Sequence, residues 1–207
     1  MRIKKNKIIF WVIWLVLVFL GPYAILKTPI VSTLNFLERV SGVFVFTLLF
    51  IQIILGAYME KLSSKFGNWI FKVHEVQGPF IYLLALVHPL FLLVFNFKVF
   101  HILDPFYIYT QVCLLCKNKT ELLYTFGRLA IWLLTISVFA AIFRNSDAWL
   151  KKNWRKFHIL NYVVFFLVAI HGYFLGGDFK IFPLNYFFYV SVVTVFSTIV
   201  LKLFRKI

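Results

Sequence analysis

Six long apolar runs, separated by short polar segments, make up most of this chain. Each run holds 18 or more residues with few charges, the length that a helix needs to cross a hydrocarbon core of about 30 Å. Barrel strands need only about 9–11 residues and alternate in polarity, so the pattern predicts an all-α integral membrane bundle of six helices. The predicted spans are Ile8–Leu26, Val40–Met59, His74–Phe97, Leu122–Phe143, His158–Leu175 and Phe182–Phe204.

The composition agrees with this interpretation and leaves no room for a second domain. The 207 residues are 62% hydrophobic, whereas soluble globular chains are about half apolar. The N-terminal run has the basic start of a signal peptide, but no small-residue cleavage site follows it, so we predict a retained first helix. We therefore expect one transmembrane domain over residues 1–207, surrounded by a lipid bilayer.

The net charge of +15 is informative because of where the basic residues lie. In a soluble protein it would suggest nucleic-acid binding, but here the 22 Lys and Arg residues cluster in the connections between spans. Such clusters mark the cytoplasmic side of a membrane protein, and we expect no nucleic-acid partner. Six basic residues fall on one side of the predicted membrane, and Arg128 lies within the fourth span. The other fifteen fall on the side of both termini: Arg2, Lys4, Lys5, Lys7, Lys61, Lys65, Lys72, Arg144, Lys151, Lys152, Arg155, Lys156, Lys202, Arg205 and Lys206.

This asymmetry predicts a multi-pass protein with both termini cytoplasmic, and the short length favours the bacterial plasma membrane. With that topology the third and fifth spans run in the same direction. Four of the five histidines fall on these two spans: His74 and His88, 14 residues apart, and His158 and His171, 13 residues apart. His74 and His158 should therefore lie at one depth near the cytoplasmic face, and His88 and His171 at a second depth nearer the outside.

Two imidazoles that face each other across a plane form an axial ligand set for a b-type haem. Two such pairs, about 20 Å apart along the helices, predict two stacked haems. Ionisable side chains within a membrane are functional candidates by default, although four polar residues satisfied by packing in a bundle are the plainer alternative. His101 falls in an outer connection, and we predict a solvated loop residue there.

The spacing on the fifth span does not fit a regular helix. From His74 to His88, fourteen steps of about 100° bring the side chain back to within about 40° of its starting direction. From His158 to His171, thirteen steps leave the side chain about 140° away from it. A π-bulge, local unwinding, or a position of His158 before the regular helix would each bring its ring back to the face of His171. The sequence leaves these three alternatives open.

Three further residues are candidates for contact with the cofactor. Gly78 lies one turn after His74, where a missing side chain would let a porphyrin approach, although glycine is common in membrane helices. Arg128 needs a counter-charge at its depth, which a haem propionate would supply, unless its side chain snorkels to the interface. Arg39, at the outer start of the second span, could contact a propionate of the haem or form an ordinary ion pair with Glu38.

Two cysteines, Cys113 and Cys116, lie three residues apart in the predicted outer connection. Lys117 follows them, so this is not a CxxCH haem-attachment site. An oxidising outer compartment would favour a disulfide. A structural disulfide, a pair that exchanges electrons with a partner and two free thiols all fit the sequence.

These features together resemble the ferric reductase-like transmembrane domain shared by ferric reductases and NADPH oxidases. The resemblance covers about residues 35–205 and rests on the paired histidine spacings. Further matching pieces are His74 through Gly78 to His88 and Pro89, the stretch Gly127-Arg128-Leu129-Ala130, and Trp154 through His158 to His171. Among stand-alone chains of this size, it is similar to the haem-binding membrane subunit of the bacterial methionine-sulfoxide reductase system.

The resemblance implies electron transfer from the cytoplasmic side through two haems to an acceptor outside, such as ferric iron, oxygen or a redox protein. The sequence contains no Gly-rich dinucleotide loop. We therefore expect the donor to be a separate cytoplasmic flavoprotein, a bound flavin (FMN or FAD) or a membrane quinol. Two rival interpretations remain: a quinol-oxidising cytochrome b subunit, and a non-redox membrane protein such as a transporter.

Overall fold

The computed structural model describes the backbone of residues 2–204 and the side chains of residues 6–204. Over that range the chain is helical, with no β-strand. Of the predicted charge asymmetry, Arg2, Lys4, Lys5, Arg205 and Lys206 lie outside the described side chains. The helices are α1 (Arg2–Ile25), α2 (Thr33–Ala57), α3 (Met59–Phe66), α4 (Trp69–Phe100), α5 (Tyr107–Thr110), α6 (Lys119–Ile142), α7 (Ala148–His158), α8 (Leu160–Leu175) and α9 (Leu184–Phe204), with a 3₁₀ turn at Asp178–Lys180.

Six helical segments are long and apolar enough to cross a membrane, which confirms the predicted number of spans. They are Asn6–Ile25, Thr33–Ala57, Trp69–Phe100, Lys119–Ile142, Ala148–Leu175 and Leu184–Phe204. Large apolar side chains remain exposed on their outer faces; Val190, Val193 and Phe196 of α9 are examples. Apolar surface of this extent suits contact with lipid chains rather than with water.

Helix α2 forms the centre of the bundle and packs against α1, α4, α8 and α9. Its Phe46 is fully buried. The ring of Phe46 stacks on those of Phe165 in α8 and Phe188 in α9, at centroid distances of 5.2 and 5.4 Å. The most extensive helix pairs are α2 with α4 and α6 with α8. The two histidine-bearing helices thus each have one close partner helix.

The fifth span is interrupted at Ile159, directly after the first of its two histidines. α7 ends at His158 and α8 begins at Leu160. The amide of Tyr162 bonds to the carbonyl of Ile159 at 3.1 Å, which is a three-residue rather than a four-residue step. His158 is therefore the last residue of α7, and the interruption before the helix that carries His171 fits both local unwinding and a position of His158 before the regular helix.

Candidate functional site

The structure brings the four intramembrane histidines together in the two pairs that their spacing predicts. The ring centres of His74 and His158 lie 6.0 Å apart. Those of His88 and His171 lie 6.4 Å apart. Both pairs join α4 to the α7–α8 span, with His74 and His158 nearer the end of the bundle at which α1 begins. At that end the side chain of Asn6 donates to the carbonyl of Lys65, 3.0 Å away.

These separations suit one metal ion between two imidazoles. With metal–nitrogen bonds of about 2.0 Å and ring nitrogens about 1.2 Å from each ring centre, two opposed imidazoles place their ring centres about 6.4 Å apart. Among the described side chains, no three His, Cys, Asp or Glu residues cluster. Two imidazoles alone leave a bare metal ion short of ligands, whereas a porphyrin brings its own ring nitrogens. The donor set therefore fits a haem better than a free ion.

The outward nitrogens of three rings are held by the partner helices. Nδ1 of His88 lies 3.0 Å from the hydroxyl of Ser41, and Nδ1 of His158 lies 3.4 Å from that of Ser137. Nδ1 of His171 lies 2.8 Å from the carbonyl oxygen of Leu123. A carbonyl only accepts, so this Nδ1 donates, and Nε2 of neutral His171 keeps the lone pair that a metal requires.

His74 is the exception within this set. Its Nδ1 is buried, and it has no hydrogen-bond partner among the described residues. The backbone carbonyl of His74 accepts from the side-chain amide of Gln52, 2.8 Å away. The helix around His74 is thus fixed by α2 although the ring's outer nitrogen is not. A buried polar atom without a partner is uncommon in a folded protein and marks a candidate functional position.

A cavity of about 590 Å³ adjoins His88 and His171. This volume lies within the range of small-molecule and cofactor sites, about 300–1,000 Å³. The α1–α2 connection contributes Thr28 and Pro29 to its lining, and the α8–α9 connection contributes Gly177. The cavity therefore lies at the end of the bundle opposite the start of α1, around the pair predicted to be nearer the outside.

Arg128 lines this cavity and is 3% exposed. Its guanidinium forms an ion pair with Glu121 and donates to the carbonyl of Gln111. It also lies over the ring of Tyr107, 4.6 Å from the centroid. Arg128 therefore has a protein counter-charge and does not extend to the surface. Its predicted contact with a propionate stays a prediction.

Tyr107 completes this group outside the spans. Its hydroxyl donates to the second carboxylate oxygen of Glu121, 2.7 Å away. Burial, and then this hydrogen bond, raise the pKa of Tyr107 above its usual value. The phenol therefore stays protonated and keeps donating to Glu121 at neutral pH.

Arg39 also lines the cavity, and it pairs with a residue far along the chain. Its guanidinium forms a bidentate ion pair with Asp178 in the 3₁₀ turn and also donates to Thr28 and to the carbonyl of Pro29. The sequence had suggested Glu38 as the ordinary partner of Arg39. The structure pairs Arg39 with Asp178 instead, because the α8–α9 connection folds over the start of α2. A propionate contact at Arg39 likewise stays a prediction.

Gly78 faces α2 and is not part of the cavity wall. A Cβ atom there would lie 3.1 Å from the side-chain nitrogen of Gln52. Gly78 therefore allows a close approach of α4 and α2 beside His74, while its predicted contact with a porphyrin stays a prediction. His101 caps α4 in the left-handed conformation (φ 56°) and is exposed, which confirms the predicted loop position.

The two cysteines are joined as a disulfide between Cys113 and Cys116. The hydroxyl of Thr125 on α6 accepts from the amide of Cys113 at 3.0 Å and lies 3.3 Å from its carbonyl. These contacts hold the connection against α6 two residues beyond Leu123, the backbone partner of His171. The contacts of Thr125 thereby hold Cys113 two residues from Gln111, whose carbonyl accepts from Arg128.

Sequence reasoning missed the residues that support the histidine rings. Ser41 and Ser137 carry no motif, and the carbonyl of Leu123 leaves no trace in the sequence at all. One signal was present: Gly42 and Gly56 on α2, which lie beside the rings of His88 and His74, are 14 residues apart, like the two histidines. A search for small residues at the histidine spacing would have found these two glycines.

The chain matches no protein-family model, no curated protein and no solved structure.

Proposed function

We propose that this chain is a membrane-embedded b-type cytochrome that binds two haems and transfers electrons across a membrane. The observation that carries the proposal is the two pairs of imidazoles, with ring centres 6.0 and 6.4 Å apart. Both sets lie between helices long and apolar enough to span a bilayer.

In this proposal His74 and His158 hold one haem, and His88 and His171 hold the other. Arg39 and Arg128 border the second site, and Gly78 lies beside the first. When bound, haem supplies a one-electron carrier. The protein holds the two ligand sets about 21 Å apart along α4, which leaves room for one haem above the other. The apolar helices exclude water from the path between them.

The direction of transfer rests on the predicted topology. Fifteen of the 22 basic residues lie on the side of both termini, which supports a cytoplasmic position for that side and for the His74/His158 pair. The donor is then a cytoplasmic flavoprotein or a membrane quinol, and the acceptor is outside the cell. C-terminal fusions to green fluorescent protein and to alkaline phosphatase test the topology. Fluorescence without phosphatase activity is expected, and the reverse would overturn it.

The decisive experiment is an absorbance difference spectrum, dithionite-reduced minus oxidised, on purified protein made with haem supplied. A pyridine haemochrome assay then counts haem per chain. A low-spin b-type spectrum with two haems per chain is the expected result. A single haem would remove one of the two histidine pairs from the proposal. A folded but colourless protein would overturn the cytochrome and favour a non-redox membrane protein.

A quinone-analogue inhibitor separates the two classes of donor. If the donor is a flavoprotein, the inhibitor should leave haem reduction by a cytoplasmic extract unchanged. Inhibition of haem reduction would instead identify the chain as a quinol-oxidising cytochrome b.

A further inference from the structure

Three of the four histidine rings rest edge-on against glycines of the neighbouring helix. A Cβ atom on Gly42 would lie 2.9 Å from Cε1 of His88, and one on Gly56 would lie 3.0 Å from Cε1 of His74. On the other helix pair, a Cβ atom on Gly127 would lie 2.8 Å from Cε1 of His171. Real Cβ contacts essentially never fall below 3.0 Å. An alanine at Gly42 or Gly127 would therefore require the facing ring to shift, and an alanine at Gly56, at the 3.0 Å limit, would press on the ring of His74.

The spacing of the glycines matches that of the histidines. Gly42 and Gly56 on α2 are 14 residues apart, as are His74 and His88 on α4, and the two helices run in opposite directions. The same helix face of α2 thus meets both rings, because 14 residues are close to four full turns. Each histidine pair therefore has one glycine of α2 beside one of its rings. The His88/His171 pair has a second glycine, Gly127 of α6, beside its other ring.

Two of the three glycine contacts, those at Gly42 and Gly127, work together with a hydrogen bond from the same partner helix. Ser41, which holds Nδ1 of His88, directly precedes Gly42. Leu123, which holds Nδ1 of His171, lies one turn before Gly127. A ring that is bonded at Nδ1 and flanked at Cε1 has little freedom to rotate. The rings of the His88/His171 pair stand at 84° to each other, and those of His74/His158 at 67°.

We propose that Gly42, Gly56 and Gly127 are positioning residues that fix the rotation of the axial imidazoles. This inference rests on the proposed haem-binding function. The relative orientation of two axial imidazole planes sets the splitting of the iron d orbitals, and nearly perpendicular planes give a ferric low-spin signal with an unusually large highest g value. The glycines would therefore set the electronic state of each haem through helix packing, which is an axial-ligand effect.

The test uses Gly42→Ala, Gly127→Ala and Gly56→Ala in the full chain, with Ser191→Ala as the control. Ser191 is buried on α9 outside the cavity lining, and among the described residues its hydroxyl bonds to the carbonyl of Phe187 in the same helix. Electron paramagnetic resonance of the oxidised protein measures the highest g value of each haem, and a redox titration measures the midpoint potentials. His171→Ala and His74→Ala assign the two signals to their sites.

We expect Gly42→Ala and Gly127→Ala to shift the g value and potential of the His88/His171 haem only. Gly56→Ala should shift those of the His74/His158 haem only, and Ser191→Ala should shift neither. Unchanged signals in all three variants, or equal changes at both haems in every variant, would overturn the positioning role. A wild-type protein with no haem would overturn the proposed function instead, so the two failures are distinct.

Discussion

Ser41 accepts a hydrogen bond from His88 while donating one of its own. Its hydroxyl oxygen lies 2.9 Å from the carbonyl of Glu38 and 3.0 Å from Nδ1 of His88. A serine hydroxyl has one proton to donate. With that proton directed to Glu38, the oxygen accepts from Nδ1–H of His88. This bond makes the imidazole a stronger electron donor at Nε2.

The variant Ser41→Ala should raise the midpoint potential of the haem bound by His88. Without the bond to Ser41 the imidazole donates less electron density through Nε2, so it stabilises ferric iron less. A neutral hydrogen bond contributes about 1 kcal/mol, and about 1.4 kcal/mol corresponds to about 59 mV for one electron. The expected rise is therefore up to about 40 mV, measured by redox titration, with both haems retained. Ser137→Ala, a matched change at the other pair, should shift the other haem. A fall in potential in Ser41→Ala would contradict the assigned bond direction.

The variant His171→Ala should reduce the haem content from two per chain to one. His171 and His88 are the paired imidazoles at the cavity, and removing one leaves a single protein ligand there, so we expect that haem to be lost during purification. The His74/His158 haem should remain, since its two ligands lie about four turns away along the helices. Pyridine haemochrome assays on the purified variant measure this directly.

His101→Asn is the matched control for that change. His101 is exposed and has a positive φ of 56°, which asparagine tolerates better than most residues. Two haems should remain in this variant. Two haems in His171→Ala would refute the ligand assignment.

The variant Asp178→Asn should destabilise the fold by about 2–3 kcal/mol. The side chains of Arg39 and Asp178 are 19% and 7% exposed, and removing one partner from a buried ion pair leaves the other charge uncompensated. The free energy of unfolding in detergent, with Arg39→Gln and the double variant, gives the coupling energy. We expect the double variant to cost less than the sum of the single changes.

A second ion pair in the chain serves as the control for this cycle. Arg144 and Glu75 are 2.9 Å apart and are 35% and 43% exposed. Glu75→Gln should change the free energy of unfolding by no more than about 1 kcal/mol, since exposed pairs contribute little. Equal costs at the buried and exposed pairs would contradict the argument from burial.

The variant Gln77→Leu should destabilise the bundle by about 1–2 kcal/mol. The side-chain carbonyl of Gln77 accepts from Trp14 at 2.9 Å, and its amide donates to the Leu48 carbonyl at 3.1 Å and to Gln52 at 3.2 Å. Leucine removes these bonds between α1, α2 and α4, and each interhelical bond in a membrane contributes about 0.6 kcal/mol on average. Thermal unfolding in detergent measures the loss.

Ser191→Ala provides the comparison for Gln77→Leu. The hydroxyl of Ser191 is fully buried but bonds only to the carbonyl of Phe187 within its own helix, at 2.7 Å. Its removal should cost no more than about 0.5 kcal/mol. A loss in Ser191→Ala as large as in Gln77→Leu would show that burial, rather than the interhelical bonds, accounts for the effect.

The sequence alone determined the number of spans and the matched positions along their helices of His74 with His158 and of His88 with His171. These features depend on local quantities, namely the length of apolar runs and the rise of a helix, and both are the same in every bundle. The bound haems, the membrane orientation and the roles of Arg39, Arg128 and Gly78 in holding a cofactor stay predictions of the sequence.

Only the tertiary structure decided which groups surround the histidines. The break at Ile159, the pairing of Arg39 with Asp178 and that of Arg128 with Glu121 follow from how the helices and their connections pack. The carbonyl of Leu123 and the space at Gly127 become partners of His171 only when α6 lies against α8. Such contacts join residues far apart in the chain, and backbone groups are identical at every position, so no local pattern in the sequence specifies them.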